Sequence, residues 1–253
     1  IKKRAKNRTV QYGFVSTGNL HEKTARVYGD HCLLTSNRNI MADINKIFNF
    51  LEHPEKGYGP LENCKTLVVS PISMRPTIVA LINLEIKNAK AGKPAAITLK
   101  LNSLSDVDLI KKLNDAAIAG VTINMIVRGI FCASMDHKKM NAKPRAISIV
   151  DEYLEHARVM IFSNGGNPKV YISSADWMVR NIDHRIEAAV PILDPAIKKE
   201  LQEIIHIQLQ DNVKARVLDS ALLNNYVPLG TRKKIRSQVE TYLYLQQKTN
   251  SKK

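Results

Sequence analysis

The sequence predicts an α/β fold in which helices flank a sheet, and two observations support this prediction. Strand-sized apolar runs alternate with longer segments whose apolar residues recur at helical spacing, the chain order expected of βαβ units. A stretch near the N-terminus also resembles a stretch in the second half of the chain. Hydrophobic residues make up 44% of the 253 residues, which is enough for one sizeable core or two modest ones.

The first part of the chain is predicted to contain two strands and one helix. Residues 8–15 carry Val and aromatic side chains in alternation, which predicts a strand that ends at the turn Ser16–Asn19. A second strand is expected around Cys32–Leu34, and apolar residues at helical spacing predict a helix over Ile40–Leu51. Two prolines and two glycines within residues 53–64 then predict a linker.

Beyond the linker, the pattern predicts alternating strands and helices and a mostly parallel sheet. Pro76 suits the first turn of its helix, Gly120 suits the end of another, and Asn164–Asn167 is typical of a turn between two strands. The predicted elements are strands Leu67–Ser70, Ala95–Leu101 and Val121–Val127, strands at 158–163 and 169–174, and helices Pro76–Ala89, Asp106–Ala119, Pro195–Leu209 and Arg232–Gln247, the last one basic at its start.

A weak internal repeat relates the two halves of the chain. Phe14-Val15-Ser16 aligns with Tyr171-Ile172-Ser173, and the register holds without gaps for over thirty residues. In this register Asn19 falls on Asp176, Asp30 on Glu187, Asp43 on Glu200 and Ile47 on Ile204. Chance similarity between two strand–helix units is the alternative. A true duplication would matter because sites in duplicated α/β folds often lie between the copies.

The charge balance predicts an anionic partner. The formal net charge is +15, from 38 Lys and Arg against 23 Asp and Glu. Nucleic acid, a nucleotide, a membrane surface or another polyanion would suit it, and a merely solvated basic surface is the alternative. The three cysteines are far apart and have no metal-ligand spacing, which is typical of free thiols in a reducing cytosol. No apolar run approaches the roughly 20 residues of a membrane helix.

His156 and Arg158 are the first candidates for chemistry. Residues two apart in a strand face the same side, so imidazole and guanidinium would project together. Histidine suits proton donation near neutral pH, and arginine offers a planar fork for phosphate. Ser173, Ser174 and Asp176 are expected at the end of the neighbouring strand. A histidine with only a structural role is the alternative interpretation.

Two further cations end predicted parallel strands. Arg128 follows Val121–Val127 and Lys100 lies at the end of Ala95–Leu101, where open α/β sheets place their ligand contacts. An arginine paired at the rim of the sheet is an equally good interpretation of Arg128. His21-Glu22-Lys23 also spells His-x-Lys, but it follows the Ser-rich turn instead of preceding it. We therefore interpret His21 as a loop histidine.

These segments, in this order, resemble polyphosphate kinases of the phosphohistidine type. The most specific are Thr24–Tyr28 (Thr-Ala-Arg-x-Tyr), Leu154–His156 (Leu-Glu-His) and Ser174–Met178 (Ser-Ala-Asp-Trp-Met), and the similarity runs from about residue 10 to about 245. The resemblance implies phospholipase D-like domains, each a mixed sheet flanked by helices. Residues 1–58 would then be the C-terminal remnant of a first domain, and residues 61–253 a near-complete second domain with a basic C-terminal helix.

The same resemblance implies an activity and roles for individual residues. The activity is reversible transfer of the ATP γ-phosphate to inorganic polyphosphate, with Mg²⁺, through a phosphohistidine. Tyr28, Arg128 and His156 would contact the nucleotide, and His156 would also be a catalytic general acid. Lys100, Arg158 and Arg180 are inferred from their charge and position to bind phosphate.

The family's phosphorylated histidine lies in a His-x-Lys segment before the Ser-Thr-Gly-Asn strand. We expect that segment, and the Mg²⁺ ligands, upstream of Ile1, so that this chain provides no metal ligand and is inactive alone. The implied partners are ATP, ADP and polyphosphate, without nucleic acid, in a homo-oligomeric full-length protein. The implied location is the cytoplasm, with peripheral attachment to the inner face of the membrane left open.

Two other functions remain open at this point. A phosphodiesterase or nuclease of the phospholipase D class usually has two His-x-Lys segments, whereas Arg158 occupies the lysine position after His156. A non-catalytic polyanion-binding module would favour aromatic side chains interleaved with basic ones, and aromatic residues are only 6% of the chain.

Overall fold

The computed structural model describes residues 1–5, 8–134, 140, 143–221 and 223–250. The strands are β1 (Lys2–Ala5), β2 (Arg8–Gln11), β3 (Gly13–Ser16), β4 (Tyr28–Gly29), β5 (Cys32–Thr35), β6 (Val68–Val69), β7 (Ala96–Leu101), β8 (Thr122–Val127), β9 (Arg145–Ile149), β10 (Leu154–Glu155), β11 (Arg158–Phe162), β12 (Lys169–Ser173), β13 (Ala188–Pro191) and β14 (Ala215–Val217).

The helices are α1 (Glu22–Ala25), α2 (Arg38–Glu52), α3 (Gly59–Glu62), α4 (Met74–Lys90), α5 (Val107–Ile118), α6 (Pro195–Leu209) and α7 (Ser237–Asn250). Short 3-10 turns occupy Pro54–Lys56 and Asn164–Gly166, and a π-helical turn occupies Arg180–His184. Among the described residues, no helix is long and apolar enough to cross a membrane.

An eight-stranded sheet organises the second part of the chain. Its strand order is β14-β9-β8-β7-β11-β12-β13-β6. Only β7, β8 and β9 run parallel, and the other neighbours are antiparallel. The expectation of a mostly parallel sheet was therefore wrong, because the chain enters β11 antiparallel to β7 and then returns through β12 and β13 as further antiparallel partners. The mixed sheet that the family resemblance implies is confirmed.

Helices cover both faces of this sheet. Apolar residues of α4 and α5 pack on one face in a core that includes Ile82, Leu109 and Trp177. Residues of α6 and α2 pack on the other face, in a second core that includes Leu201 and Ile40. The α/β architecture with flanking helices is thus the one that the sequence predicts.

The duplication is confirmed residue by residue. Strands β3 and β5 pair with the same register as β12 and β13, at the constant spacing of 157 residues that relates Phe14 to Tyr171. Helices α2 and α6 begin and end at equivalent positions, 15 residues each. Their N-caps, Asn37 and Asp194, are also equivalent, and each side chain accepts hydrogen bonds from two backbone amides of the first turn.

Several element boundaries differ from the predicted ones. The strand predicted over residues 8–15 is divided into β2 and β3, and β9, β13 and β14 were not predicted. The predicted linker includes α3 and a 3-10 turn.

The predicted basic helix begins only at Ser237, so the basic residues precede α7 instead of starting it. Asn212 explains the difference. Its backbone amide donates to the Ile235 carbonyl at 3.1 Å, and its side-chain oxygen accepts from the Ile235 amide at 2.8 Å, which holds this residue outside the helix.

Two contacts tie the repeats together. Strand β10 of the second repeat pairs in parallel with β4 of the first, matching Leu154 with Tyr28. On α2, the buried Asp43 accepts three backbone hydrogen bonds from residues 65–67, at 2.6 to 3.0 Å, just before β6 begins. The linker is therefore anchored to the first repeat, and β4 and β10 bring polar residues of both repeats together.

Candidate active site

A histidine–carboxylate pair joins the two repeats. His156 follows β10, and its backbone amide donates to the Gly29 carbonyl at 3.1 Å. Its Nδ1 lies 2.9 and 3.0 Å from the two carboxylate oxygens of Asp30, which follows β4. Both side chains are mostly buried, at 14% and 21% exposure. The pair forms only because β4 and β10 run side by side.

The neighbours of His156 assign its tautomer. Arg158 Nη1 lies 3.3 Å from His156 Nε2. A guanidinium can only donate, so Nε2 accepts and Nδ1 carries the hydrogen that is donated to Asp30. The expectation that imidazole and guanidinium project to the same side is confirmed.

Asp30 is held in its ionised form. Burial alone raises the pKa of its carboxyl, but hydrogen bonds from His156 and Thr17, together with the charges of His156 and Arg158, outweigh burial and bring the pKa below its ordinary value. The Thr17 hydroxyl donates to Asp30 Oδ1 at 2.7 Å. An ionised Asp30 can orient His156 and stabilise its protonated form.

Arg158 is engaged on both branches of its guanidinium. Nη1 donates to the Thr17 carbonyl at 2.9 Å, and Nη2 donates to Asp176 Oδ2 at 3.0 Å. Asp176 Oδ1 in turn accepts from the backbone amides of Asn102 and Ser103 at 2.8 and 3.0 Å. Arg158 is 9% exposed, so little of its guanidinium is accessible to a ligand. Its hydrogen bonds instead hold the turn and His156 in place.

Arg128 and Tyr28 complete a cluster whose other members are His156, Asp30, Arg158 and Asp176. Arg128 Nε donates to Asn102 Oδ1 and to the Glu155 carbonyl, each at 3.1 Å. Its two terminal nitrogens have no hydrogen bond to any described residue, and the side chain is half-buried. The Tyr28 ring lies 4.8 Å from the His156 ring, tilted by 50°. Tyr28, Arg128 and His156 are therefore brought together, as three residues of one surface.

Lys100 and Arg180 lie in other surroundings. Lys100 is 2% exposed, forms an ion pair with Glu155 and donates to Gln208 Oε1 at 3.0 Å. Burial raises the pKa of Glu155, but the charge of Lys100 and the hydrogen bonds it receives lower it overall. Arg180 is exposed at the start of the π-helical turn, and no described hydrogen bond joins it to the cluster. Their predicted roles in binding phosphate stay predictions, and the burial of Lys100 gives them no support.

One further histidine is a predicted loop residue, and three polar residues of the site were not assigned to it from the sequence. His21 accepts from the Thr24 amide at 3.4 Å and caps α1, which fits the prediction of a loop histidine. Asp30, Thr17 and Asn102 contact the predicted residues but were not assigned to the site. The repeat contained a signal for Asp30, because it aligns with another acidic residue.

The described residues do not form a site for a divalent cation. No group of three His, Cys, Asp or Glu side chains with suitable spacing occurs among them. The two carboxylates of the cluster are already used, Asp30 by His156 and Thr17, and Asp176 by Arg158 and two amides. These residues therefore do not fit a Mg²⁺ site by themselves.

Comparison with known protein families identifies the chain. The family model "Polyphosphate kinase C-terminal domain 2" matches residues 67–238, and "Polyphosphate kinase C-terminal domain 1" matches residues 1–57. The chain belongs to the polyphosphate kinase family. A polyphosphate kinase of Vibrio parahaemolyticus is 47% identical over 245 residues, and one of Escherichia coli K12 is 46% identical over 245 residues.

The similarity extends to a solved structure. A crystal structure of polyphosphate kinase from Porphyromonas gingivalis matches with a TM-score of 0.90 and 41% identity, over 98% of this chain and 38% of that one. The two sequence relatives each align with 97% of this chain, which spans only 35% of their length. The domain division between residues 58 and 61 and the individual site roles stay predictions.

Proposed function

We propose that this chain forms the C-terminal part of the catalytic region of a polyphosphate kinase, which reversibly transfers the ATP γ-phosphate to inorganic polyphosphate through a phosphohistidine. Within it, His156 is the general acid, and Tyr28 and Arg128 contact the nucleotide. The observation that carries the proposal is the His156–Asp30 pair, built across two repeats beside the terminal nitrogens of Arg128, which bond to none of the described residues.

The geometry accounts for how these groups would act. In the first half-reaction the γ-phosphorus leaves the bridging oxygen of ATP and bonds to a histidine nitrogen, and the electron pair stays on the β-phosphate of ADP. Protonated His156 donates toward that oxygen through Nε2, which in this form no longer accepts from Arg158, while Asp30 stabilises the imidazolium charge. The terminal nitrogens of Arg128 supply a fixed positive charge for phosphate oxygens.

The repeat also supports a position for the phosphorylated histidine. In the second repeat Arg158 lies opposite Ser173, and His156 precedes it by two residues. Along β1 and β2, Lys2 pairs with Gln11. When this antiparallel register is continued past Ile1, the fourth residue before Ile1 lies opposite Ser16. Ser16 is the counterpart of Ser173. A histidine equivalent to His156 then falls six residues before Ile1, and a cation equivalent to Arg158 falls four residues before it.

The remaining requirements of the reaction lie outside the described cluster. We propose that Mg²⁺ accompanies ATP and is held by residues upstream of Ile1, since Asp30 and Asp176 are already engaged. We further propose a homo-oligomeric, cytoplasmic full-length protein. Peripheral attachment to the inner face of the membrane stays a prediction.

The experiment is synthesis of polyphosphate from ATP by the full-length protein carrying His156→Ala. Loss of a general acid is expected to lower the rate roughly 10²- to 10⁴-fold while the protein remains folded. His21→Ala is the matched control, because His21 is exposed and only caps α1. Full activity of His156→Ala would overturn the assignment. Release of nucleotides from nucleic acid, or of head groups from lipid, would instead favour a phosphodiesterase.

A further inference from the structure

The Ser-rich turns of the two repeats share the same hydrogen bonds. In the first turn the Gly18 amide donates to Ser16 Oγ at 3.2 Å, and in the second the Ala175 amide donates to Ser173 Oγ at 3.0 Å. The residue between them also donates its amide to the neighbouring strand: Thr17 to the His31 carbonyl at 2.9 Å, and Ser174 to the Ala188 carbonyl at 3.1 Å. The two backbones are therefore equivalent, bond by bond.

Each turn also holds a carboxylate through an equivalent hydroxyl. Thr17 Oγ1 donates to Asp30 and accepts from the His31 amide at 3.0 Å. Its counterpart Ser174 donates to Glu187 and accepts from an amide at 3.1 Å. The hydroxyl has the same two partners in both copies, although the acid differs by one methylene.

The residue after the hydroxyl differs together with the acid. A Cβ placed on Gly18 would lie 2.0 Å from Asp30 Oδ2 and 2.4 Å from its Cγ, far inside van der Waals contact. The second repeat has a real Cβ at this position, on Ala175, which is buried at 2% exposure. Its acid, Glu187, carries the carboxylate one methylene further from the backbone. Glycine thus accompanies the short acid, and alanine accompanies the long one.

We propose that Gly18 is a positioning residue, matched to Asp30, that lets the short acid lie against the turn and meet His156 Nδ1. The φ angle of Gly18 lies outside the left-handed region, so the reason for glycine is the space beneath it and not its backbone conformation. The role in catalysis rests on the proposed function of His156. The placement of Asp30 does not depend on that function, and it can be measured in this chain.

The proposal predicts compensation between two substitutions. Gly18→Ala forces the Asp30 carboxylate off the turn and away from His156. Adding Asp30→Glu reproduces the alanine–glutamate combination of the second repeat and returns a carboxylate to Nδ1. Gly59→Ala is the matched control, because a Cβ there has nothing within 4 Å.

The measurement is the hydrogen bond from His156 Nδ1–H to the carboxylate, read from the ¹H and ¹⁵N NMR shifts of Nδ1–H in the ¹⁵N-labelled chain. The original chain and Gly59→Ala are expected to show the downfield proton of an Nδ1–H bonded to a carboxylate. Gly18→Ala is expected to lose this downfield shift, and Gly18→Ala with Asp30→Glu to recover it. An unchanged Nδ1–H shift in Gly18→Ala, or no recovery in the double variant, overturns the proposal. If Gly18→Ala does not fold, the double variant decides, since it is expected to fold and to show the downfield Nδ1–H.

Turnover of the full-length protein separates this proposal from the proposed function. Polyphosphate synthesis should fall in Gly18→Ala and return in the double variant if both are correct. An Nδ1–H shift that follows the predicted pattern in a protein that makes no polyphosphate would leave the positioning role standing and remove the kinase assignment.

Discussion

Replacing Asp30 with asparagine tests the electrostatic role of the acid, because it preserves the shape and removes the charge. The carboxylate accepts from His156 Nδ1 at 2.9 Å and from the Thr17 hydroxyl at 2.7 Å. Hydrogen bonds to charged groups contribute about 1.5–3 kcal/mol, and about 1.4 kcal/mol is a factor of ten in rate. If the imidazolium forms in the transition state, we expect Asp30→Asn to lower kcat roughly 10- to 100-fold with little change in KM.

The assay is steady-state polyphosphate synthesis by the full-length protein, with circular dichroism to confirm folding. Asp108→Asn is the matched control, since Asp108 is 79% exposed and pairs only loosely with Lys111, at 3.7 Å. A folded Asp30→Asn variant with the original kcat would refute the reasoning, because His156 would then act without a negative charge beside Nδ1.

Three single substitutions and one rescuing double variant test the supporting structure by urea unfolding of this chain. Asp43→Ala leaves three backbone amides unpaired and should cost about 3 kcal/mol. Burial raises the pKa of Asp43, but its hydrogen bonds bring that pKa below the ordinary value of 3.8. Asp43 should therefore stabilise the fold above pH 3.8 and lose this contribution as the pH falls through the lower pKa of the folded state. The variant should lack this pH-dependent contribution. Lys100→Met leaves Glu155 buried without its cation and should cost about 3–5 kcal/mol, whereas adding Glu155→Leu should recover most of the loss. Arg158→Lys cannot bond to both Thr17 and Asp176 and should cost about 2 kcal/mol. An unchanged urea midpoint in any of the three single variants would contradict the expectation for that variant.

Periodicity and local chemistry were enough to predict most of the scaffold. Apolar spacing predicted α2 and α6 almost to the residue, because one face of each helix packs in the core. The gap-free repeat predicted the shared strand register. The late start of α7 was not predictable, because it depends on Asn212, a residue distant in sequence that bonds to the Ile235 backbone.

The candidate site was only partly predictable for a similar reason. The spacing of His156 and Arg158 indicated that they face one side, the end of a predicted strand indicated Arg128, and the family resemblance added Tyr28. The partners of buried charges come from other elements, so nothing near Lys100 in the sequence indicated its ion pair with Glu155. Asp30 is 126 residues from His156 and meets it only through the β4–β10 pairing.

The central claim is that His156 is the acid of a site whose nucleophile belongs to the other repeat. Mass spectrometry of the full-length protein after incubation with ATP, under conditions that preserve phosphohistidine, tests it most directly. The account predicts phosphate on a histidine six residues before Ile1 and none on His156. Phosphate on His156, or on any other histidine within residues 1–253, would contradict it.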